Sequence, residues 1–294
     1  MRTFEYHAPQ TIDEAVRLLQ AGGAAARPLA GGTDIVVQMK ESATKFPYPE
    51  AIVSLDRVSE LRGIDFSESE GLRIGAGTTM ADVAASPLVR ERYLALAEGA
   101  GVVGSLQTMN MATIGGNVCN AAPSADTAPP LLVYEAQAVV VGTNGRRTLP
   151  LGDFFHGPGL TALEPGELLA ELRMPVPPAN TGAVYLRNTP RKQMDIAVVG
   201  VAVALTLSGD TIERARVALG AVAPTPVRAI AAEAALEGQP ASDETFARAA
   251  EAAASQDARP ISDIRASVDF RRHLVKVMTA RLLVEAASRA KGNS

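Results

Sequence analysis

Two glycine-containing motifs have the residue types that could bind a ligand through the backbone. The first glycine loop, "AGGTD", spans residues 30–34, and the second glycine loop, "TIGGN", spans residues 113–117. Because glycine has no β-carbon and tolerates positive φ, consecutive N–H groups can converge on an anion there. If the first loop follows a strand and opens a helix, it becomes a phosphate site, with Thr33 adding a hydroxyl donor.

Each loop also has a purely structural interpretation. A single Gly-Gly turn is most often ordinary turn chemistry, so one motif alone favours structure over binding. Two such turns, each next to Thr, Asn or Asp, shift the balance toward a ligand. Asp34 would repel a phosphate, and we therefore expect it to order the loop or cap the following helix rather than contact the ligand.

A third turn, "GAGTTM" at residues 75–80, follows a strand and resembles a dinucleotide motif. Met80 stands where the third glycine of that fingerprint would be, so the fingerprint is not met. We expect this turn to pack against the ligand loop. Downstream of the second loop, Ser124 and Asp126 suit either a turn or hydrogen bonds to ligand hydroxyls. The single cysteine, Cys119, has no neighbouring histidine or second thiol and is expected to be an unreactive packed thiol.

The elements that must position these residues alternate irregularly between helix and strand. Thr11 and Glu14 form a capping box for a helix that ends at Gly22 and Gly23. A short strand leads into the first loop at "RPLAGG", and the apolar spacing of "TDIVVQMK" could start a helix after it. Further short strands are predicted at "AIVSL", "LRGIDF" and "LRIGAG", and residues 79–101 read as helical. A hairpin with an Asn144–Gly145 turn follows. These patterns predict a mixed α and β domain.

A proline cluster, Pro175, Pro177 and Pro178, marks a domain boundary. After it, three strands joined by turns precede alanine-rich helices at about 227–237, 243–255 and 265–290. The second domain is therefore predicted to be a small antiparallel sheet packed by helices.

Composition excludes several classes of function. The chain has 294 residues, 47% of them hydrophobic, so it can bury a hydrophobic core. Its formal charge of -4 gives no excess of positive charge that would attract nucleic acid. One cysteine and three distant histidines provide no disulfide, iron–sulfur or zinc site. The N-terminus lacks a secretory pattern and the longest apolar run, residues 197–207, is too short to span a bilayer. We expect a cytoplasmic protein without a membrane span.

The order "AGGTD", "LRIGAGTT", "ATIGGN" and "SAD", followed by the proline boundary and a sheet-plus-helix domain, resembles one family over nearly the whole chain. It is similar to the FAD-binding medium subunit of the molybdenum hydroxylases, which include xanthine dehydrogenases and aerobic carbon monoxide dehydrogenase. The resemblance implies an α+β fold. Residues 1–176 would form a two-part FAD-binding domain of the vanillyl-alcohol oxidase type, and residues 177–294 the C-terminal domain of these flavin subunits.

The resemblance also implies site residues. The first loop would hold the FAD pyrophosphate through its amides, the second would form a further FAD loop, and Ser124 and Asp126 would meet the ribityl chain, ribose or ring edge. Leu169 would lie near the flavin, and Arg187 would replace a basic residue that approaches FAD in relatives. The implied cofactor-binding residues are Ala30, Gly31, Gly32, Thr33, Asp34, Ile35, Thr113, Gly115, Gly116, Asn117, Ser124, Asp126, Leu169 and Arg187.

In such enzymes this subunit transfers electrons. A large subunit hydroxylates the substrate at a molybdenum cofactor, and electrons pass through two [2Fe-2S] clusters of a small subunit to FAD. The implied assembly is a dimer of heterotrimers, a heterohexamer, that delivers electrons to an external acceptor. The resemblance leaves open purine, aldehyde, N-heterocycle or carbon monoxide substrates and NAD, oxygen, quinone or cytochrome acceptors.

Two other functions remain open on the sequence. A self-contained flavoprotein oxidase or reductase would oxidise its own substrate, and many such relatives attach flavin through His or Cys; only Cys119 lies near a glycine loop. A non-catalytic structural subunit is the other alternative. It is disfavoured because both loops keep their small residues.

Overall fold

The computed structural model describes residues 2–40, 48–191 and 193–292, and its mixture of helices and sheets confirms the predicted α+β class. The first layer is a parallel sheet of three strands, β1 (Glu5–His7), β2 (Ala26–Leu29) and β3 (Ala51–Ser54), in the order β1-β3-β2. Helix α1 (Ile12–Gly22) crosses from β1 to β2, and α2 (Ile35–Lys40) follows β2. The first glycine loop thus lies between a strand and a helix, as the sequence predicts.

Helix α1 shows how local chemistry sets these boundaries. The Oγ1 atom of Thr11 accepts a hydrogen bond from the N–H of Glu14 at 3.2 Å, and Gly23 ends the helix with a φ of 51°. The Glu14 carboxylate reaches back to the N–H of Gln10 at 3.0 Å, one residue before the position that the capping box predicts. The buried face of α1 packs Ile12, Val16 and Leu19 on the sheet.

The second layer is an antiparallel sheet of five strands, in the order β4-β5-β10-β6-β7. Its helices and strands, in chain order, are β4 (Ile64–Ser67), β5 (Gly71–Gly75), α3 (Met80–Ala85), α4 (Pro87–Arg92), α5 (Leu94–Ala100), α6 (Leu106–Met109), α7 (Ile114–Asn120), α8 (Ala128–Val133), β6 (Gln137–Gly142), β7 (Gly145–Pro150), α9 (Leu151–Phe154), β8 (Phe155–Gly157), β9 (Leu160–Thr161) and β10 (Leu168–Met174). Strands β8 and β9 form a small hairpin of their own.

The sequence predicts one helical stretch over 79–101, but the structure has three helices there. Ser86 caps a new helix through the N–H of Val89, and Pro87 occupies its first turn, which a continuous helix would not tolerate. Tyr93 separates the second helix from the third because its buried side chain donates a hydrogen bond to the carbonyl of Pro175 at 3.0 Å.

The C-terminal part contains an antiparallel sheet in the order β11-β12-β13-β14, covered by helices. Its elements are β11 (Thr181–Asn188), β12 (Val199–Ser208), β13 (Thr211–Gly220), β14 (Val227–Arg228), α10 (Ile230–Leu236), α11 (Asp243–Ala252) and α12 (Val268–Ala290). The three predicted strands and three predicted helices are present. Val227 and Arg228 were expected in the first helix but pair with β13 instead, because the edge of that sheet offers them backbone partners.

The two parts meet along β11 and α8. Pro129 of α8 lies against Gly220, where a β-carbon would come within 3.0 Å of the proline ring. Glu135 forms ion pairs with Arg214 and Arg216 across this junction.

None of the helices in the described part of the chain combines the length and the apolar character that a membrane span requires.

Candidate functional site

The first glycine loop turns sharply after β2 and touches the segment that precedes the second loop. Gly32 has a φ of +74°, a conformation that favours glycine. A β-carbon on Gly31 would lie 1.9 Å from the carbonyl oxygen of Met111, so no other residue fits there without moving the backbone. Glycine at these positions therefore sets the turn and brings the two loops into contact.

The backbone donors of the first loop are unused. Within the described residues, the N–H groups of Gly31, Gly32 and Thr33 donate to no backbone carbonyl. The carbonyls of Gly32 and Asp34 accept from Val36 and Gln38 and so begin helix α2, in which Ile35 is the first residue. Three consecutive free N–H groups beside a helix start can bind an anion.

The second glycine loop is the first turn of α7 with its cap, and the N–H groups of residues 114–117 already have protein acceptors. The Oγ1 atom of Thr113 accepts from the N–H of Gly116 at 3.1 Å, and the carbonyl of Thr113 accepts from Asn117 at 3.0 Å. The N–H of Gly115 donates to the carbonyl of Ala76 at 2.8 Å. This loop therefore offers a side-chain surface to a ligand rather than backbone donors.

The turn at residues 75–80 packs against the second loop, which agrees with the sequence interpretation. Thr79 and Thr113 form an isolated β-bridge, and the carbonyl of Thr78 accepts from Ile114 at 3.0 Å. A β-carbon on Gly115 would lie 2.5 Å from that of Ala76, so this glycine serves close packing.

Gly116 has a different environment from its neighbour. A β-carbon there would lie 2.9 Å from the Thr113 hydroxyl, and the next atom toward the first loop, the β-carbon of Ala30, is 4.0 Å away. Gly116 thus lies near Ala30, and an added methyl group would reach ordinary van der Waals contact with the first loop.

Polar side chains connect most of the predicted residues. Asn120 of α7 donates to the Asp34 carboxylate at 3.3 Å, so Asp34 orders the loop as expected. The Asn117 side-chain oxygen accepts from the Thr127 hydroxyl at 2.7 Å. Thr127 follows Asp126 in the chain, and Asp126 accepts from Arg187. Side-chain hydrogen bonds therefore tie α7 to the first loop and to Thr127, and they tie Asp126, the residue before Thr127, to β11.

Asp126 and Arg187 form a buried ion pair at the end of this path. The Nη1 atom of Arg187 donates to Oδ2 of Asp126 at 2.6 Å, and the Tyr185 hydroxyl donates to Oδ1 at 2.7 Å. Burial raises the pKa of Asp126 to about 6, opposed by the charge of Arg187 and by the two hydrogen bonds. Nη2 of Arg187 is buried and, within the described residues, has no hydrogen-bond partner. This donor requires an acceptor from a ligand or solvent.

Two predicted residues contribute less directly. Ser124 lies in the segment between α7 and α8, held by a hydrogen bond from the N–H of Ala221 to the carbonyl of Pro123 at 2.7 Å, and its side chain is half-buried. Leu169 is buried in β10. The adjacent carbonyl of Ala170 accepts from the N–H of Ala76 at 2.9 Å, which joins β10 to the 75–80 turn.

Sequence reasoning missed Tyr185, Thr127 and Asn120, which hold the predicted residues in place. Tyr185 had a recognisable signal, because residues two apart on a strand share a face and Arg187 was already selected. Asn120 and Thr127 had only their proximity in sequence to predicted residues.

The single cysteine, Cys119, has no group that activates it as a nucleophile among the described residues. Burial raises the pKa of the Cys119 thiol to about 12, so it stays protonated at neutral pH. In the part of the chain that the structure describes, no group of three or more His, Cys, Asp or Glu side chains is arranged to hold a metal ion.

A separate groove of about 640 Å³ lies between Val176–Pro178 and the end of α12. It contains none of the predicted site residues. Its cations Arg92, Arg289 and Lys291 are already paired, with Glu68, Glu98 and Asp210 respectively. We therefore place the candidate site at the two glycine loops.

Comparison with known proteins identifies the family over almost the full length of the chain. Residues 2–177 match the family model described as the FAD binding domain in molybdopterin dehydrogenase, and residues 184–286 match the carbon monoxide dehydrogenase flavoprotein C-terminal domain. The carbon monoxide dehydrogenase medium chain of Hydrogenophaga pseudoflava is 37% identical, over 97% of this chain and 98% of that protein. The xanthine dehydrogenase FAD-binding subunit of Escherichia coli O157:H7 is 35% identical, over 98% and 97%.

Solved structures agree. A chain of carbon monoxide dehydrogenase from Hydrogenophaga pseudoflava has a TM-score of 0.92 and 39% identity, with 98% of each chain covered. A chain of quinoline 2-oxidoreductase from Pseudomonas putida 86 has a TM-score of 0.90 and 31% identity, again with 98% of each chain covered. The chain therefore belongs to the family of FAD-binding medium subunits of the molybdenum hydroxylases, the oxidoreductase family of the xanthine and carbon monoxide dehydrogenases.

Proposed function

We propose that this chain carries FAD and transfers electrons within a multi-subunit molybdenum hydroxylase, from the [2Fe-2S] clusters of a small subunit to an external acceptor. The large molybdenum-cofactor subunit would oxidise the organic substrate. The proposal is supported by relatives that are named medium chains or FAD-binding subunits of dehydrogenases. We further propose a dimer of heterotrimers and a cytoplasmic location.

The observation that carries the FAD assignment is how the two loops face each other. Three free N–H groups of the first loop suit the negative charge of a pyrophosphate. Gly116 of α7 and Ala30 are small residues at the place where the two loops approach each other. Arg187 contributes a buried cationic donor that lacks a partner in the described structure. These features fit a large dinucleotide with a phosphate-bearing middle.

We propose that different residues of the site bind different parts of FAD. The first loop, from Ala30 to Ile35, would bind phosphate oxygens, and Thr113, Gly115, Gly116 and Asn117 would form the opposing wall. Ser124, Asp126 and Arg187 would contact the remainder of the cofactor, and Leu169 would lie near the flavin. Residues 1–176 would form the FAD-binding domain and residues 177–294 the C-terminal domain.

When bound, FAD accepts electrons singly or in pairs and passes them to an acceptor. The chain's own residues then bind and orient the cofactor and set the charge around it. No acid–base residue is needed for this role, and we assign no catalytic residue.

The test separates this function from a self-contained oxidase. The full chain is purified alone and together with its large and small partner subunits. FAD is quantified after acid precipitation, and molybdenum and iron are measured by mass spectrometry. We expect FAD in the lone chain, and flavin reduction only when the partner subunits and their substrate are added.

Two outcomes would contradict the proposal. A lone chain that cannot be loaded with FAD would favour a structural subunit. A lone, FAD-loaded chain that oxidises an organic substrate would favour the self-contained oxidase. For glycine substitutions in the two loops, Gly152→Ala of α9 is a suitable control variant. A β-carbon there would meet only an ordinary van der Waals contact, at 3.9 Å.

A further inference from the structure

Three side chains from both parts of the molecule form a buried triad: Asp126, Tyr185 and Arg187. The Asp126 carboxylate receives one hydrogen bond from each partner, at 2.7 Å from Tyr185 and 2.6 Å from Arg187. Asp126 is only 7% exposed and Tyr185 only 5%. Both carboxylate oxygens are therefore engaged by groups of β11, a strand of the C-terminal part.

Tyr185 is held rigidly from several directions. Its backbone N–H donates to the Glu98 carboxylate of α5 at 2.7 Å, and Glu98 pairs with Arg289 of α12 at 2.8 Å. Its hydroxyl lies close to Gly200 of β12, where a β-carbon would be 2.8 Å from the oxygen. The position of the hydroxyl is thus determined by packing rather than by its bond to Asp126 alone.

Arg187 has its two terminal nitrogens in unequal roles. Nη1 donates to Asp126 and, at 3.3 Å, to the backbone carbonyl of Asp195. Nη2 is buried and has no partner within the described residues. Because Nη1 is held by two acceptors, the direction of Nη2 depends on where Asp126 is held.

We propose that Tyr185 is a positioning residue, whose hydroxyl fixes Asp126 against Arg187 so that Arg187 offers Nη2 to FAD with its charge balanced. This inference rests on the proposed FAD-binding function. In this proposal, Tyr185 and Arg187 of the C-terminal part control the charge beside the cofactor. The reduction potential of the bound flavin would then depend on a tyrosine that need not touch it.

The electrostatics define the expected sign. Burial raises the pKa of Asp126 to about 6, and the Tyr185 hydrogen bond and the Arg187 charge oppose that rise. The other charged side chains packed near the triad are Glu98 of α5, which accepts from the backbone N–H of Tyr185, and Arg289 of α12, which pairs with Glu98. Asp195, before β12, contributes only its backbone carbonyl to Arg187. Removing the hydroxyl of Tyr185 takes away a bond that favours the carboxylate, so the pKa of Asp126 rises further.

Protonation of Asp126 leaves the Arg187 charge unbalanced. An unbalanced positive charge favours the negative charge that a flavin acquires on reduction. The midpoint potential of the flavin at pH 7 should therefore rise in Tyr185→Phe. In a plot of midpoint potential against pH, the change of slope that marks the Asp126 titration should move to higher pH. Losing one hydrogen bond to a charged group should move this change of slope upward by about one pH unit.

The experiment compares wild type, Tyr185→Phe and Tyr93→Phe as FAD-loaded full chains. Tyr93 is a matched control because its hydroxyl is also buried and bonded, but to the carbonyl of Pro175. The measurements are FAD affinity by fluorescence, the midpoint potential from pH 5 to pH 9, and the Asp126 titration by carboxyl-carbon NMR. We expect FAD affinity to change by no more than about threefold, and only Tyr185→Phe to shift the potential profile and the titration.

Asp126→Asn provides a second variant that does not depend on tyrosine packing. It imitates the protonated carboxyl, so it should raise the potential at pH 7 and remove the slope change near pH 6. If Tyr185→Phe binds FAD but keeps the wild-type potential profile and Asp126 titration, the inference is wrong while the proposed function stands. Failure of the wild type to bind FAD would overturn both.

Discussion

Residues 30–34 and 113–117 have similar glycine-rich sequences, yet they use their backbones in opposite ways. In the first loop, three consecutive N–H groups make no backbone hydrogen bond within the described residues. In the second, the N–H groups of Gly115, Gly116 and Asn117 already have protein acceptors. The first loop can therefore donate to phosphate oxygens, whereas the second is a packed wall.

The glycines differ within the second loop as well. Gly115 has backbone and β-carbon atoms of Ala76 within 3 Å of where its own β-carbon would be, while Gly116 faces the first loop. A pair of adjacent glycines thus serves two purposes, packing and ligand access. Substitutions at single glycines can separate these purposes.

Gly31→Ala should have the largest effect, because it breaks the contact between the loops. The new β-carbon would meet the Met111 carbonyl, a backbone atom that cannot rotate away. We expect a loss of about 3 kcal/mol in the free energy of unfolding and loss of FAD retention. Urea denaturation and FAD quantification measure the two effects; wild-type values in both would contradict the proposed loop contact.

Gly115→Ala should destabilise the protein next most strongly. Its β-carbon would lie 2.5 Å from that of Ala76 and 2.6 Å from the Ala76 carbonyl oxygen, so α7 must move away from the 75–80 turn. We expect a loss of about 2 kcal/mol in the free energy of unfolding. The thermal midpoint of the chain without FAD reports it, with Gly152→Ala as the control that should remain near wild type.

Gly116→Ala should separate binding from stability. The methyl group crowds only the Thr113 hydroxyl, and alanine favours the helix, so the free energy of unfolding should change by less than about 1 kcal/mol. The methyl group is added where α7 approaches Ala30, beside the proposed cofactor site, and we expect FAD to bind about tenfold more weakly, or roughly 1.4 kcal/mol. Fluorescence titration with FAD decides this; a larger loss of stability than in Gly115→Ala would reverse the assignment.

Asn120→Ala should have the smallest effect. It removes one exposed hydrogen bond, of 3.3 Å, between α7 and Asp34. We expect a loss of about 0.5 kcal/mol in the free energy of unfolding and a similarly small loss of FAD affinity. A loss as large as that in Gly31→Ala would mean that side-chain bonding, rather than the glycine contact, holds the loops together.

Much of the fold could be predicted from local chemistry. The Thr11 cap, the Asn144–Gly145 hairpin and the long strands of the C-terminal part depend on residues close together in the chain. The breaks at Ser86 and Tyr93 were harder to predict, since the second depends on a hydrogen bond to Pro175, distant in sequence. The pairing of Val227 with β13 likewise required the sheet edge to be in place.

For the site, the sequence by itself determined the two glycine loops, the acidic and basic residues beside them, and the family. Only the tertiary structure decided which amides are free, which glycine packs and which faces the other loop, and that Tyr185 bridges to Asp126. The reason is physical. Glycine makes a close approach possible, but the atom it approaches, such as the carbonyl of Met111 or Ala76, is brought there by the packing of other elements.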